Sequence, residues 1–357
     1  MSQTVHVARD NLASAQLVDT PKGDLAEGAV RLKIESFSVT ANNITYAVAG
    51  ERMAYWNFFP APEGFGVVPM WGHAVVEQSN NDAFKVGERV YGYLPMGTHL
   101  DVEPGKVSES SFMDMAAHRQ PMSPIYNGYS RLAADLEHDA AREPERMIFG
   151  PLFKTGYLIE TMFRSEDWFG AGVVIMTSAS SKTSMALASV TKAKSPEIKR
   201  VGLTSPGNVA FTEATGLYDQ VLTYDQVGEL ENVRSVSVDF AGNSSVLRAI
   251  HEHLGENLAY SCLVGATHID GRDGGAGALP GPEPILFFAP HYAVAAVKEL
   301  GPKAFGEAIA ISWKQFLSEV ADTVEVEVRD GIDAARSTYL EMVGGKVDPA
   351  KGIVIHP

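Results

Sequence analysis

The sequence predicts an α/β protein of two domains, and three observations carry that reading. The first third is strand-rich. The middle alternates short apolar runs with helical segments. The end of the chain returns to the first pattern. With 357 residues the chain is long enough for two cores. We expect a β-rich domain over residues 1–140, completed by 291–357, and an α/β domain over 141–290.

In Ala29–Ser38, the residues Val30, Leu32, Ile34 and Phe37 alternate with polar partners, which is the period of a half-buried strand. Val68–Gln78 and Phe84–Tyr93 read as further strands, with turns at Asn80–Asp82 and Gly87. Asp114–Glu145 is polar and poorly periodic, so it reads as loop and short helices. From Pro151 onward the predicted strands are Val173–Thr177, Val201–Thr204, Gln220–Thr223, Ser235–Phe240, Tyr260–Gly265 and Ile285–Ala289. Helices are predicted at Ser184–Ala193, Val209–Thr215 and Val246–Leu254. Such alternation implies a parallel sheet covered on both faces. Ile269–Pro284, rich in Gly, Pro and Asp, reads as a surface loop. Helices follow over Ala293–Leu300 and Phe305–Ala321, then a strand (Thr323–Val328), a helix (Ile332–Val343) and a terminal strand (Gly352–His356).

Apolar residues make up 45% of the chain and charged residues 20%, an ordinary globular balance. The net charge of −15 argues against nucleic acid and anionic membranes as partners, since both call for basic patches. No apolar run reaches the ~18 residues of a membrane span. The first residues lack a basic segment followed by an apolar one, so no signal peptide is expected. One cysteine, Cys262, excludes an internal disulfide and a Cys-based zinc site. A reducing, cytoplasmic setting fits, and Cys262, in an apolar strand, reads as inert core.

The most informative stretch is Gly172–Ala188, GVVIMTSASSKTSMALA. A buried strand, a small polar turn and a helix with a small-residue face is how a nucleotide-binding βαβ unit opens. Such a turn aims backbone N–H groups and the helix dipole at a phosphate. Where G-x-G-x-x-G is expected, this chain has Ser178, Ser180, Ser181, Lys182 and Ser184. It either binds a dinucleotide in an unusual way or has lost that role. Lys182-Thr183 also matches the tail of a P-loop, but the P-loop glycines are missing.

In element order the chain resembles the medium-chain dehydrogenase/reductase superfamily, and most of all its zinc-free quinone and enoyl reductases. Val30–Gly50 looks like the strand and Asn-containing turn that open the catalytic domain. PMWGHAVV and FKVGERVYGY look like the GHE…F-x-x-G-D-x-V-x-G segment. VVIMTSASSKTSMALA looks like the cofactor loop, and Val201–Tyr224 like the next two strands of a Rossmann domain. VDFAG, CLVG and the closing GGKVDPAKGIVIHP complete the likeness. The fold implied is a Rossmann dinucleotide-binding domain plus a β-rich GroES-like catalytic domain. The zinc-dependent members use Cys, then His-Glu, then a later Cys. Here Val39–Thr45 holds no Cys and His73 is followed by Ala74, so no metal is expected. His73 reads as a histidine packed under its strand.

The resemblance places NADP(H) on Ser178, Ser180, Ser181, Lys182 and Thr183, with Thr204, Ser205 and Asn208 at the end of the second strand. That end carries no Asp or Glu, which leaves room for a 2′-phosphate and favours NADPH over NADH. Tyr224, Gly265, Ala266, Thr267 and Phe288 complete the implied cofactor set, and His268 lies beside it. Tyr55, in ERMAYWNFFPAPE, stands about where the enoyl reductases carry a proton-donating Tyr; Tyr46 is the second candidate. Asn43, with Asn42, stands where the family uses Asn near nicotinamide or substrate. An aromatic wall for Tyr55 and a plain turn for the asparagines are the competing structural roles. The function implied is NADPH-dependent, metal-independent reduction of an activated C=C or a carbonyl in a small-molecule substrate. A cofactor-binding redox sensor without turnover, and a lyase or isomerase on the same fold, are the alternatives. The resemblance also implies a homodimer paired at the strand Ile285–Ala289.

Overall fold

The structure, a computed structural model, describes residues 1–264, 279–345 and 348–357. It divides into two compact units, Met1–Ile148 with Glu325–Pro357, and Phe149–Val324.

In chain order the first unit contains β1 (Ser2–Ala8), β2 (Asn11–Thr20), β3 (Val30–Val39), α1 (Ala41–Val48), β4 (Phe65–Gly66), β5 (Pro69–Ser79), β6 (Arg89–Pro95), β7 (His99–Val102), β8 (Pro104–Gly105), β9 (Ser111–Asp114) and β10 (Gly128–Arg131). Then α2 (Glu143–Ser165) begins, and the unit boundary falls within it. The second unit continues with β11 (Val173–Met176), α3 (Lys182–Lys194), β12 (Lys199–Thr204), α4 (Val209–Ala214), β13 (Gln220–Thr223), β14 (Ser235–Asp239), α5 (Ser244–Leu254), β15 (Leu258–Val264), β16 (Ile285–Phe287), α6 (Ala289–Leu300) and α7 (Pro302–Val320). The chain then re-enters the first unit with β17 (Glu325–Asp330), α8 (Ile332–Val343) and β18 (Lys351–His356).

The main sheet of the first unit runs β17-β18-β3-β5-β6-β10-β9-β8, with β7 also on β3. The returning β18 pairs antiparallel with β3, Val354 opposite Ser38. Alternation along β3 and β5 puts Val30, Leu32, Ile34, Met70, Ala74 and Val76 in the core. The small sheet β2-β1-β4 covers residues the sequence reading had not assigned. Two helices were also missed there. In α1 the polar and β-branched residues ANNIT hide the period. In α2, Pro151 lies inside the helix and reads locally as a breaker, because it removes a backbone donor.

The second unit is a parallel sheet in the order β13-β12-β11-β14-β15-β16. Val173, Ile175, Val201, Leu203 and Leu222 form one core with Val246, Ile250 and Leu254 of α5. The expected return at residue 291 is corrected: α6 and α7 belong to the second unit, and the return starts at Glu325. The reason is aromatic packing. Trp313 and Phe316 of α7 lie 5.3 and 5.2 Å from Phe153 of α2, and Glu319 accepts a hydrogen bond from Ser189 of α3. Among the described residues no helix is long and apolar enough to cross a membrane.

Candidate active site

The turn after β11 is built by long-range pins. Thr177, fully buried, donates through Oγ1 to Asp239 of β14 and accepts from the amides of Phe240 and Ala241. Ser178 takes a left-handed conformation, φ +49°, at a cost of roughly 1–2 kcal/mol for a side-chain-bearing residue. Its amide donates to the Tyr224 hydroxyl at 3.2 Å. Ala179 is held on both sides: its amide donates to Leu203, and its carbonyl accepts from Tyr218 at 2.7 Å. Ser181 is the N-cap of α3, its Oγ accepting from the Ser184 amide, as expected of a Ser before a helix. Lys182 and Thr183 open the helix.

Three sequence-predicted residues meet in one place. Ser180 Oγ accepts from Asn208 Nδ2 at 3.0 Å and from Thr204 Oγ1 at 3.4 Å. Ser205 follows, half-buried. Phe288 caps α6, its ring 4.9 Å from His291. Gly265, Ala266, Thr267 and His268 lie outside the described residues.

Glycine stands in the supports of the turn rather than in the turn itself. A Cβ on Gly202 would lie 2.8 Å from the Ala179 Cβ and 2.9 Å from the Tyr218 ring; one on Gly156 would lie 2.6 Å from the Leu187 amide nitrogen. Close approach of strand to turn, and of α2 to α3, is secured there. Tyr218, half-buried against the turn, was not singled out as a site residue; its role depends on a contact 39 residues away in sequence.

In the first unit Tyr55 starts a short 3-10 turn behind Ala54, itself left-handed at φ +58°. The side chain of Trp56 fills the space over Gly50 and Gly66, where a Cβ would fall within 2.1 and 2.3 Å of its ring. The Tyr55 ring lies 4.7 Å from Tyr46 and 5.7 Å from Tyr126. Its hydroxyl is 3.0 Å from that of Tyr126. Tyr46 accepts from Trp71 Nε1 at 3.1 Å. Phe58 and Tyr93 close the group. Burial pushes the phenols of Tyr46, Tyr55, Tyr93 and Tyr126 above the usual value, so all are protonated at neutral pH.

A buried guanidinium organises the segment that carries Tyr126. Arg119 and Asp114 are each 1% exposed and pair at 2.8 Å. Arg119 also donates to Asn127, to the Tyr129 hydroxyl and, at 2.7 Å, to the Tyr126 carbonyl. Sequence reasoning missed Arg119 and Tyr126, because they sit in the polar, aperiodic stretch with only residue type as a signal. Asn43 is placed differently from the two tyrosines. Its Oδ1 accepts from Thr40 at 2.6 Å, and its Nδ2 donates to the Pro69 carbonyl at 2.8 Å. The amide is thus committed to capping α1.

A family model described as protein of unknown function (DUF2855) matches residues 37–348. The chain belongs to this family. No curated protein matches it in sequence. Among solved structures it is similar to CurA from Vibrio vulnificus in complex with NADPH, at 14% identity and TM-score 0.63, covering 99% of this chain and 98% of that one. It is also similar to the yhdH oxidoreductase from Salmonella enterica in complex with NADP, at 13% identity and TM-score 0.55, covering 99% of each chain. A mutant form of the enoyl thioester reductase from Candida tropicalis matches at 14% identity and TM-score 0.56, over 100% of this chain and 99% of that one. At these identities the likeness is one of fold, a Rossmann domain plus a GroES-like domain.

Proposed function

We propose that this family member is an NADPH-dependent reductase of an activated C=C or a carbonyl in a small molecule, with Tyr55 as the acid. The observation that carries the reading is the strand–turn–helix at Val173–Lys194, whose donor set suits a dinucleotide. Lys182 brings a cation to the N-terminus of α3, where the helix dipole favours a phosphate. Ser180, Thr204 and Asn208 gather hydroxyls and an amide, with no carboxylate in Thr204–Asn208 to repel a 2′-phosphate. Three of the similar structures named above are of proteins with reductase or oxidoreductase character or with bound NADP(H), which supports the same cofactor here.

When bound, NADPH supplies a hydride. The first unit supplies the rest. The Tyr55 phenol is protonated at neutral pH and can give a proton to the carbon or oxygen that gains negative charge. Tyr126 accepts or donates at the same hydroxyl, and the rings of Tyr46, Phe58 and Tyr93 exclude water, which strengthens that hydrogen bond. Oxidation of NADPH in the presence of a panel of enones, quinones and aldehydes tests the reading. Binding of NADPH with no turnover across the panel would favour a redox sensor instead.

A further inference from the structure

We propose that His73, His138 and Glu143 form a binding site for one divalent transition-metal ion, with zinc the best match to the donor set. This inference is independent of the reductase reading. It departs from the expectation of no metal, which rested on the missing cysteines and on Ala74 after His73: here His138 and Glu143 would complete the ligand set instead.

One donor atom from each residue lies within 4.8 Å of the other two. The three come from separate places: β5, the turn before α2 and the first residue of α2. The second observation is an unmet need. His73 is fully buried, yet neither ring nitrogen has a hydrogen-bond partner, and the buried Nδ1 of His138 has none either. A buried polar group left unpaired costs about 1–3 kcal/mol. A neutral imidazole always presents one nitrogen lone pair, and a cation is one occupant that satisfies it.

Glu143 is already held. Arg89 grips its carboxylate in a fork, at 2.7 and 2.9 Å, and each oxygen keeps a second lone pair for a metal. A carboxylate fixed this way resembles the oriented ligands of metal sites. Charge is compatible with a cation. Glu143 is the carboxylate that acts on His73, beside Arg89 and Arg146. Each of those guanidiniums is paired with a further carboxylate, Arg89 with Glu35 and Arg146 with Asp135. Two imidazoles and one carboxylate suit zinc and leave a fourth tetrahedral position open, whereas calcium and magnesium prefer oxygen alone.

His73 and Trp71 lie two apart on β5, on one face of the sheet. The Tyr91 ring lies 5.1 Å from His73 and 5.9 Å from Trp71, so the ion would brace the sheet next to the phenol group.

The test is metal binding by the full chain after removal of metal with a chelator. Zinc is titrated by calorimetry, and cobalt by its visible bands. The expected result is one equivalent bound at micromolar metal, with a rise in the thermal midpoint. His138→Gln and Glu143→Gln should each weaken binding more than about ten-fold, while His6→Gln, elsewhere in the unit, should leave it unchanged. His138 lies near the surface, so its variant is expected to fold even if His73→Gln does not. Absence of binding would overturn the proposal, leaving trapped water as the partner of the histidines. Binding that survives both His138→Gln and Glu143→Gln would overturn it too, as an adventitious ion on other histidines.

Discussion

The turn after β11 and the aromatic group around Tyr55 are assembled by different means. The turn is continuous in sequence, Thr177 to Lys182, and its first three residues are pinned by partners distant in sequence: Thr177 by Asp239, Ser178 by Tyr224, and Ala179 by Leu203 and Tyr218. The aromatic group is discontinuous. It draws Tyr46 from α1, Tyr55 from a 3-10 turn, Trp71 and Tyr93 from neighbouring strands, and Tyr126 from a second 3-10 turn held by a buried ion pair. A turn without glycine keeps its shape through side-chain hydroxyls and through Gly202 packed against it. A cluster of phenols keeps its shape through burial. The first is sensitive to local strain and the second to the loss of one organising charge.

The largest effect is expected at Tyr55. Tyr55→Phe keeps the ring and removes the acid. Turnover is expected to fall roughly 10²–10⁴-fold while NADPH affinity stays constant, the pattern of lost general acid catalysis. The pH profile checks the same point. Burial raises the phenol's pKa, and the acid works only while protonated, so the alkaline fall in kcat should lie above about pH 10. A variant with full turnover would reduce Tyr55 to a wall residue and bring Tyr46 forward.

Arg119→Met tests the organising charge. It leaves Asp114 buried without its partner, at an expected cost of about 3–5 kcal/mol, read by urea unfolding. Release of the Tyr126 carbonyl should also lower turnover with little change in NADPH affinity. Equal stability would show that the ion pair contributes nothing net.

Gly156→Ala probes the second unit. Its Cβ would press on the backbone of Leu187, so a loss of about 1–3 kcal/mol is expected from overpacking, against a gain of up to ~1 kcal/mol in helix propensity. The sign should be destabilising, because backbone cannot swing aside. Lys182→Ala should weaken NADPH binding several-fold, measured by quenching of protein fluorescence, and NADPH should bind more tightly than NADH at one salt concentration. Equal affinities would remove the end of β12 from 2′-phosphate recognition. The smallest expected effect concerns assembly. β16 lies at the edge of its sheet, with Ile285 and Leu286 exposed, and an open edge is a pairing surface. Sedimentation at micromolar concentration should give a dimer; a monomer would leave that edge unpaired in solution.

Much of the second unit was legible in sequence. Strands buried on both faces are short apolar runs, and helices between them keep a clear period, so β13 and α5 fall close to their predicted places. The strand ends that gather Ser180, Thr204 and Asn208 follow from the same order. α1 and α2 were not legible: one is capped by Thr40 and Asn43 in a run poor in helix formers, and the other carries a proline that packing overrides. Nor was the segment with Arg119 and Tyr126, whose order comes from a buried charge rather than from hydrophobic period.

By itself the sequence determined the order of strands and helices from β11 to α7, the strand–turn–helix at residues 173–194 and the aromatic composition around Tyr55, because these rest on local period and residue type. Only the tertiary structure decided which partners they meet. It brought Tyr126 to Tyr55, Gly202 under the serine turn, Gly156 against α3, Asn43 into a cap, α7 onto α2, and His73 beside His138 and Glu143. The physical reason is common to all of them. Each is a contact between residues far apart in the chain or in different elements, and its energy comes from burial, fit and charge compensation that no local pattern records.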